Sequence, residues 1–214
     1  LEEESGLAHG SLLVGGKVML EIHHAVCYLY PLPELDPPER ARIQFKNLYV
    51  PGAPLPDPAL AGAFLPGREQ VPLRPYQWID RIVDDSSDSR IIGIKNVTAT
   101  EDYFNDHFPN KPVLPGVILI QCMISLAKRL ADRLLAGAGG PEKRAVLRSS
   151  EKIKFRTFVQ PGDQLLVQAD LQRLTEREST FVARTSVRSK QAATIRLEFD
   201  HVTRDEYLQR YCAL

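Results

Sequence analysis

His107, Gly116 and Gln121 are the residues of this chain whose types and spacing could do chemistry. They share one segment, Tyr103-Phe-Asn-Asp-His107-Phe-Pro-Asn-Lys-Pro-Val-Leu-Pro-Gly116-Val-Ile-Leu-Ile-Gln121. A histidine titrates near neutral pH and can take a proton from a substrate. A glycine that opens a buried helix offers an unpaired backbone N–H at the positive end of the helix dipole. Such an amide can stabilise negative charge developing on an oxygen, and a residue without Cβ lets a ligand come close. A lone histidine before an aromatic residue is most often structural, so the surrounding pattern must carry the argument.

The elements that would position these residues can be read from periodicity. Leu114 to Leu135 is the longest apolar segment, and its apolar positions cover most of a helix surface. Its first half is apolar nearly all round and is expected to be buried. Lys128, Arg129, Asp132 and Arg133 wet the second half. Pro115 suits the first turn and Gly137 the C-terminal stop. Strands are expected at Arg90–Val97, Ala145–Phe158, Gln164–Leu174, Ser179–Ser189 and Ala192–His201, the last three showing partial alternation. One long helix followed by an antiparallel meander is an α+β pattern, with a helix wrapped by a sheet.

The segment from Val50 to Pro75 holds seven of the sixteen prolines and reads as an extended linker. Three parts follow: residues 1–50 as an N-terminal β arm, 51–75 as the linker and 76–214 as the main domain. In the arm, Lys17–Tyr30 reads as one or two strands entered by a Gly15-Gly16 turn, and Ala41–Val50 as another. About 50 residues make a poor independent core, so the arm should pack on the domain or on a partner. His23 and His24 would alternate across a strand, which makes a poor joint metal site.

The motif segment resembles the active-site signature of the 3-hydroxyacyl-[acyl-carrier-protein] dehydratases: a His-Phe-Pro turn, then Pro-Val-Met-Pro-Gly, then a helix with an acidic residue. Trp78-Ile-Asp80-Arg81-Ile and Lys95-Asn-Val97 resemble flanking pieces of that family. Phe155-Arg-Thr-Phe-Val-Gln-Pro-Gly162-Asp-Gln-Leu165 resembles its following strand and turn. The resemblance runs over roughly 72–200. It implies a hot-dog fold and a protein of fatty-acid or polyketide metabolism. It assigns the base to His107 and the oxyanion amide to Gly116, with Phe108, Pro115 and Val117 lining the acyl site. Residues 18–35 also resemble part of the first of two tandem hot-dog domains, which would make the arm a remnant of one.

The chain departs from the family at Gln121. This position, fourteen after His107, carries an acid in the family, and an amide cannot usefully donate a proton to a leaving hydroxyl. Losing a general acid typically costs ~10²–10⁴ in rate. Three readings stand: a dehydratase whose acid comes from a non-identical partner, a thioesterase or isomerase, and a non-catalytic acyl-binding subunit. Asp106 replaces a common glycine and either orients His107 or faces solvent.

Lys plus Arg equals Asp plus Glu at 27 each, which leaves no global field for nucleic acid. No apolar run reaches the ~18 residues of a membrane span. Three widely spaced cysteines argue against a disulfide framework or zinc site, and fit a cytoplasmic protein. No metal or cofactor is expected. The resemblance implies an acyl carrier protein or coenzyme A thioester as partner. Lys152, Lys154 and Arg156 would then share one strand face toward the acidic carrier. A lone hot-dog leaves a long sheet edge exposed, so a homodimer, or a heteromeric or tandem hot-dog partner, is expected.

Overall fold

The computed structural model describes residues 5–14, 17–28, 31–40, 78–137 and 142–212. The strand expected at 41–50, the proline-rich 51–75 and the Gly15-Gly16 turn lie outside the described residues. The chain divides into two units, Leu1–Leu55 with Phe108–Lys111, and Pro56–His107 with Pro112–Leu214.

In the first unit β1 (Ser5–Val14) and β2 (Lys17–Tyr28) form an antiparallel pair, followed by the short helix α1 (Leu32–Leu35). Ala8 pairs with Ala25 and Gly10 with Ile22, so His9 alone opposes His23 and His24. This bulge puts His24 at φ 54 and breaks the alternation expected of the two histidines. The His9 and His24 rings meet edge to face with centroids 4.9 Å apart, while His23 Nε2 lies 3.2 Å from Glu21.

The second unit contains β3 (Arg81–Asp84), β4 (Arg90–Asn96), the helix α2 (Gly116–Gly137) and then β5 (Lys143–Phe155), β6 (Gln164–Leu174), β7 (Glu178–Val187) and β8 (Lys190–Thr203), closed by α3 (Arg204–Tyr207). The sheet order is β3-β4-β6-β7-β8-β5, antiparallel throughout. Leu119, Cys122, Met123, Leu126, Ala127, Leu130 and Ala131 recur at helical spacing and form the buried stripe of α2. They join one core with Ile91, Leu165, Val167, Phe181, Ile195, Leu197 and Phe199 from the sheet. Phe181 and Phe199 cross at 87° with centroids 5.8 Å apart, a favoured aromatic geometry. This is the hot-dog layout, a long helix wrapped by an antiparallel sheet.

One expectation needs correction. The first half of α2 is not buried all round: Val117 is 70% exposed, and Ile118, Ile120 and Ile124 are only partly covered. The six-stranded sheet wraps one side of the helix, so apolar positions on the other side stay open. At the β3–β4 junction the Asp80 carboxylate accepts the Asn96 backbone N–H at 2.5 Å.

Candidate active site

Three stretches that lie far apart in sequence meet through backbone hydrogen bonds. Leu114 N–H donates to Val159 O at 2.7 Å, which anchors the loop before α2 to the segment after β5. Gly162 N–H donates to Val97 O at 2.8 Å, and Val97 N–H to Asp163 O at 2.9 Å. Gly162 sits at φ 92, the turn position after a proline that L side chains rarely adopt. The Pro-Gly-Asp turn therefore staples the end of β4 to the start of β6.

His107 follows a 3₁₀ turn, Asp102–Asn105, whose Phe104 is buried in the core. Its backbone N–H donates to Tyr103 O at 3.0 Å, and its own carbonyl accepts Val113 N–H at 2.9 Å. The half-buried ring places Nδ1 2.9 Å from Val113 O. A carbonyl oxygen only accepts, so Nδ1 must carry the proton. Nε2 then holds the basic lone pair, the tautomer a proton-abstracting histidine requires. Asp106 is exposed. Phe108 is half-buried and donates its N–H to Lys111 O at 3.2 Å.

Gly116 opens α2, and the buried Pro115 before it accepts N–H bonds from Ile118 and Leu119 at 2.9 and 3.3 Å. Packing favours glycine here. A Cβ at 116 would lie 2.8 Å from Cζ of Phe155 and 3.1 Å from Cε1. The Phe155 ring, 41% exposed, thus lies against the first residue of the helix. Gln121 lies five residues further on, ~7.5 Å along the axis. It is half-buried, and its amide NH₂ is 3.5 Å from Ser125 Oγ, one turn ahead.

One group of side chains was not anticipated. Lys95, on β4, is 5% exposed, and its ammonium donates to Glu101 Oε1 at 3.0 Å. The other oxygen of Glu101 accepts the Tyr103 hydroxyl. Burial, then the Glu101 carboxylate, push the Tyr103 phenol well above its ordinary range. Cys122, next to Gln121, is fully buried, and burial raises its thiol to about 12 against the pull of Lys95. A signal for this group did exist. Ile91, Gly93, Lys95 and Val97 share the inward parity of β4, and a cation on a core-facing row needs a buried partner.

A family model described as a FabA-like domain matches residues 71–196. The chain belongs to the FabA-like family. A 3-hydroxyacyl-[acyl-carrier-protein] dehydratase FabZ of Pelotomaculum thermopropionicum is 39% identical over 108 residues, which cover 50% of this chain and 75% of the relative. The protein of that name from Rickettsia felis is 34% identical over 119 residues, covering 56% and 81%. Among solved structures, the dehydratase heterocomplex ApeI:P of Xenorhabdus doucetiae matches with a TM-score of 0.50 at 16% identity, over 62% of this chain and 87% of the other.

In this FabA-like domain the basic run of β5 is less uniform than simple alternation implied. Lys152, Lys154 and Arg156 are all exposed. However, Glu151 pairs with Arg196 and Lys154 with Thr194, so β5 carries one extra residue, and Lys152 sits at φ 53. The bulge takes Lys152 off the face parity that Lys154 and Arg156 share. Further back, Arg148 is engaged by Glu178, Glu198 and Asp200 at 2.9–3.0 Å, so its charge is locally balanced. Among the described residues no helix is long and apolar enough to cross a membrane.

Proposed function

We propose that this FabA-like chain is the histidine half of a 3-hydroxyacyl thioester dehydratase of fatty-acid or polyketide metabolism. A non-identical hot-dog partner supplies the acid of the site. The observation that carries the reading is the Nδ1 contact of His107 with Val113, which leaves Nε2 basic. His107 takes the α-proton of the acyl thioester, and the electron pair of that C–H bond forms the α,β double bond. The thioester oxygen carries the intervening negative charge, against the Gly116 amide. The β C–O bond breaks, and the leaving hydroxyl takes a proton from the partner's carboxylic acid to depart as water. Gln121 hydrogen-bonds the hydroxyl and cannot protonate it.

Pro115 and Val117 line the acyl site in this reading. The less covered apolar side of α2, where Val117 is exposed, is where the partner docks. Lys154 and Arg156 face an acidic carrier protein bringing the acyl chain, with Lys152 at the adjoining bulge. Charge reversal of Lys154 and Arg156 is expected to weaken carrier binding at low salt. Residues 1–50 form an arm joined by the proline-rich 51–75 to the domain of 76–214.

Hydration of crotonyl-coenzyme A, the reverse reaction, tests the assignment. The chain by itself is expected to bind this thioester with little turnover. Gln121→Glu is expected to raise turnover by roughly 10² or more. Binding without any gain from Gln121→Glu would instead support a non-catalytic acyl-binding subunit, which the Gln121–Ser125 contact also accommodates. Release of free thiol would point to a thioesterase.

A further inference from the structure

We infer that Lys95, Glu101 and Tyr103 form a buried positioning relay that holds the His107 imidazole in its working tautomer and direction. The inference rests on the reading of His107 as the base. The relay joins a rigid strand to the loop that carries the histidine. Lys95 is fixed in β4, which is hydrogen-bonded to β6 along its whole length. Its ammonium holds Glu101, and Glu101 holds the Tyr103 hydroxyl. The backbone of Tyr103 closes the chain, because its carbonyl accepts the N–H bonds of both Asp106 and His107, at 3.4 and 3.0 Å. Phe104, with its ring centroid 4.7 Å from that of Tyr103, plugs the same turn into the core.

Stability alone does not account for a charge pair in this place. The Lys95 side chain is 7% exposed and that of Glu101 25%, so both lose much of their hydration. A buried ion pair is commonly no more stabilising than apolar residues of similar volume, whereas it does fix geometry. The geometry fixed here is the position of Tyr103 relative to β4. One residue pair further along, the ring of His107 meets Val113 O. Releasing Tyr103 frees the turn to pivot, and the Nδ1 contact loses its alignment. The relay also passes beside Cys122, whose thiol feels the charges of both Lys95 and Glu101, so it runs against α2 next to Gln121.

The test uses the full chain with ¹⁵N-labelled histidine. In the parent protein the neutral form of the His107 ring is expected to carry its proton on Nδ1 and not on Nε2. Tyr103→Phe removes only the hydroxyl, and is expected to yield a mixture of tautomers at His107 alone. In the Gln121→Glu background the same change should lower kcat about tenfold, with KM within about twofold, as loss of alignment predicts. A Lys95→Met/Glu101→Leu double variant keeps the site apolar and folded, and should reproduce both effects. If both variants retain the parent ¹⁵N pattern, the relay does not position His107 and the inference falls. If the tautomer follows Tyr103 while no form hydrates crotonyl-coenzyme A, the relay stands and the dehydratase reading fails.

Discussion

The imidazole Nδ1 of His107 stands 2.9 Å from the carbonyl oxygen of Val113, at the far end of the loop that begins with the histidine itself. The contact lets the hydrogen-bonding and basic roles of the ring be separated. A glutamine at 107 can still donate its amide N–H to Val113 O but has no basic nitrogen. In a turnover-competent form, His107→Gln is expected to lower crotonyl-coenzyme A hydration by roughly 10²–10⁴. Stability should change by less than about 1 kcal/mol, since a donor remains. Denaturant unfolding beside the rate assay checks both, and a variant that keeps its rate would remove His107 from the chemistry.

The contact of Gly116 with Phe155 predicts a coupled pair. A methyl at 116 collides with the ring at 2.8 Å, so the ring or the first helical turn must shift. Gly116→Ala is expected to cost about 1–3 kcal/mol, in the range of overpacking. In a Phe155→Leu background the cost should fall by at least about 1 kcal/mol, as expected of touching residues. A double-mutant cycle measured by urea unfolding reads the coupling. Additive costs would show that the glycine answers to something other than the ring.

Much of the fold was legible because burial imposes a period. The bounds expected for β6, Gln164–Leu174, are those observed, and the helix expected at 114–135 runs from Gly116 to Gly137. Pro115, expected in the first turn, stands one residue before it, where its missing N–H costs no helical bond and its carbonyl accepts from Ile118 and Leu119. β1 was missed: Ser5–Val14 contains two glycines and little alternation, and it exists as a strand through pairing with β2. Local propensity does not register a partner supplied by the rest of the chain.

Within the candidate site, residue types were easier to read than relations. The motif carries His107, Gly116 and Gln121 in one run of sequence. The ring that covers Gly116 arrives from β5, nearly forty residues later, and no periodicity announces it. Lys152 misled for a related reason: alternation assumes an unbroken ladder, and a bulge appears in sequence only as one more residue. Lys95 could have been noticed from its inward parity, but its partner lies beyond the end of the strand, at Glu101.

The pH dependence of stability should carry the mark of His201. This residue is 5% exposed, with Nε2 2.9 Å from Ser179 Oγ. Burial holds its pKa below the ordinary 6.5, opposed in part by nearby backbone carbonyls. A basic group with a depressed folded pKa binds its proton more readily in the unfolded chain. Its contribution is therefore complete above about 6.5 and declines as pH falls from there toward the lowered folded value, by at most ~1.4 kcal/mol per pH unit for one proton. His201→Gln can still meet Ser179 and should flatten that decline. Equal slopes for the two proteins between pH 6.5 and 5 would show that His201 titrates alike in both states.

The uncovered side of α2 predicts association. Val117 is 70% exposed at the start of the helix, the Phe155 ring against Gly116 is 41% exposed, and Ile153 on the same strand is 39% exposed. β5 is the long outer strand of the sheet, whereas the opposite edge, β3, has only four residues. Exposed apolar side chains and a long outer strand that is unpaired on its far side among the described residues make a surface that a second hot-dog domain can cover. Val117→Asp puts a charge into that surface without touching the buried stripe of α2, so the fold should survive while association weakens. Native mass measurement at micromolar concentration should find the parent chain paired, with itself or with a co-purifying hot-dog subunit, and the variant mostly monomeric. Circular dichroism of the variant should match the parent. A parent chain that is monomeric at high concentration and gains no mass from any partner would leave the site without the second subunit that the proposed chemistry needs.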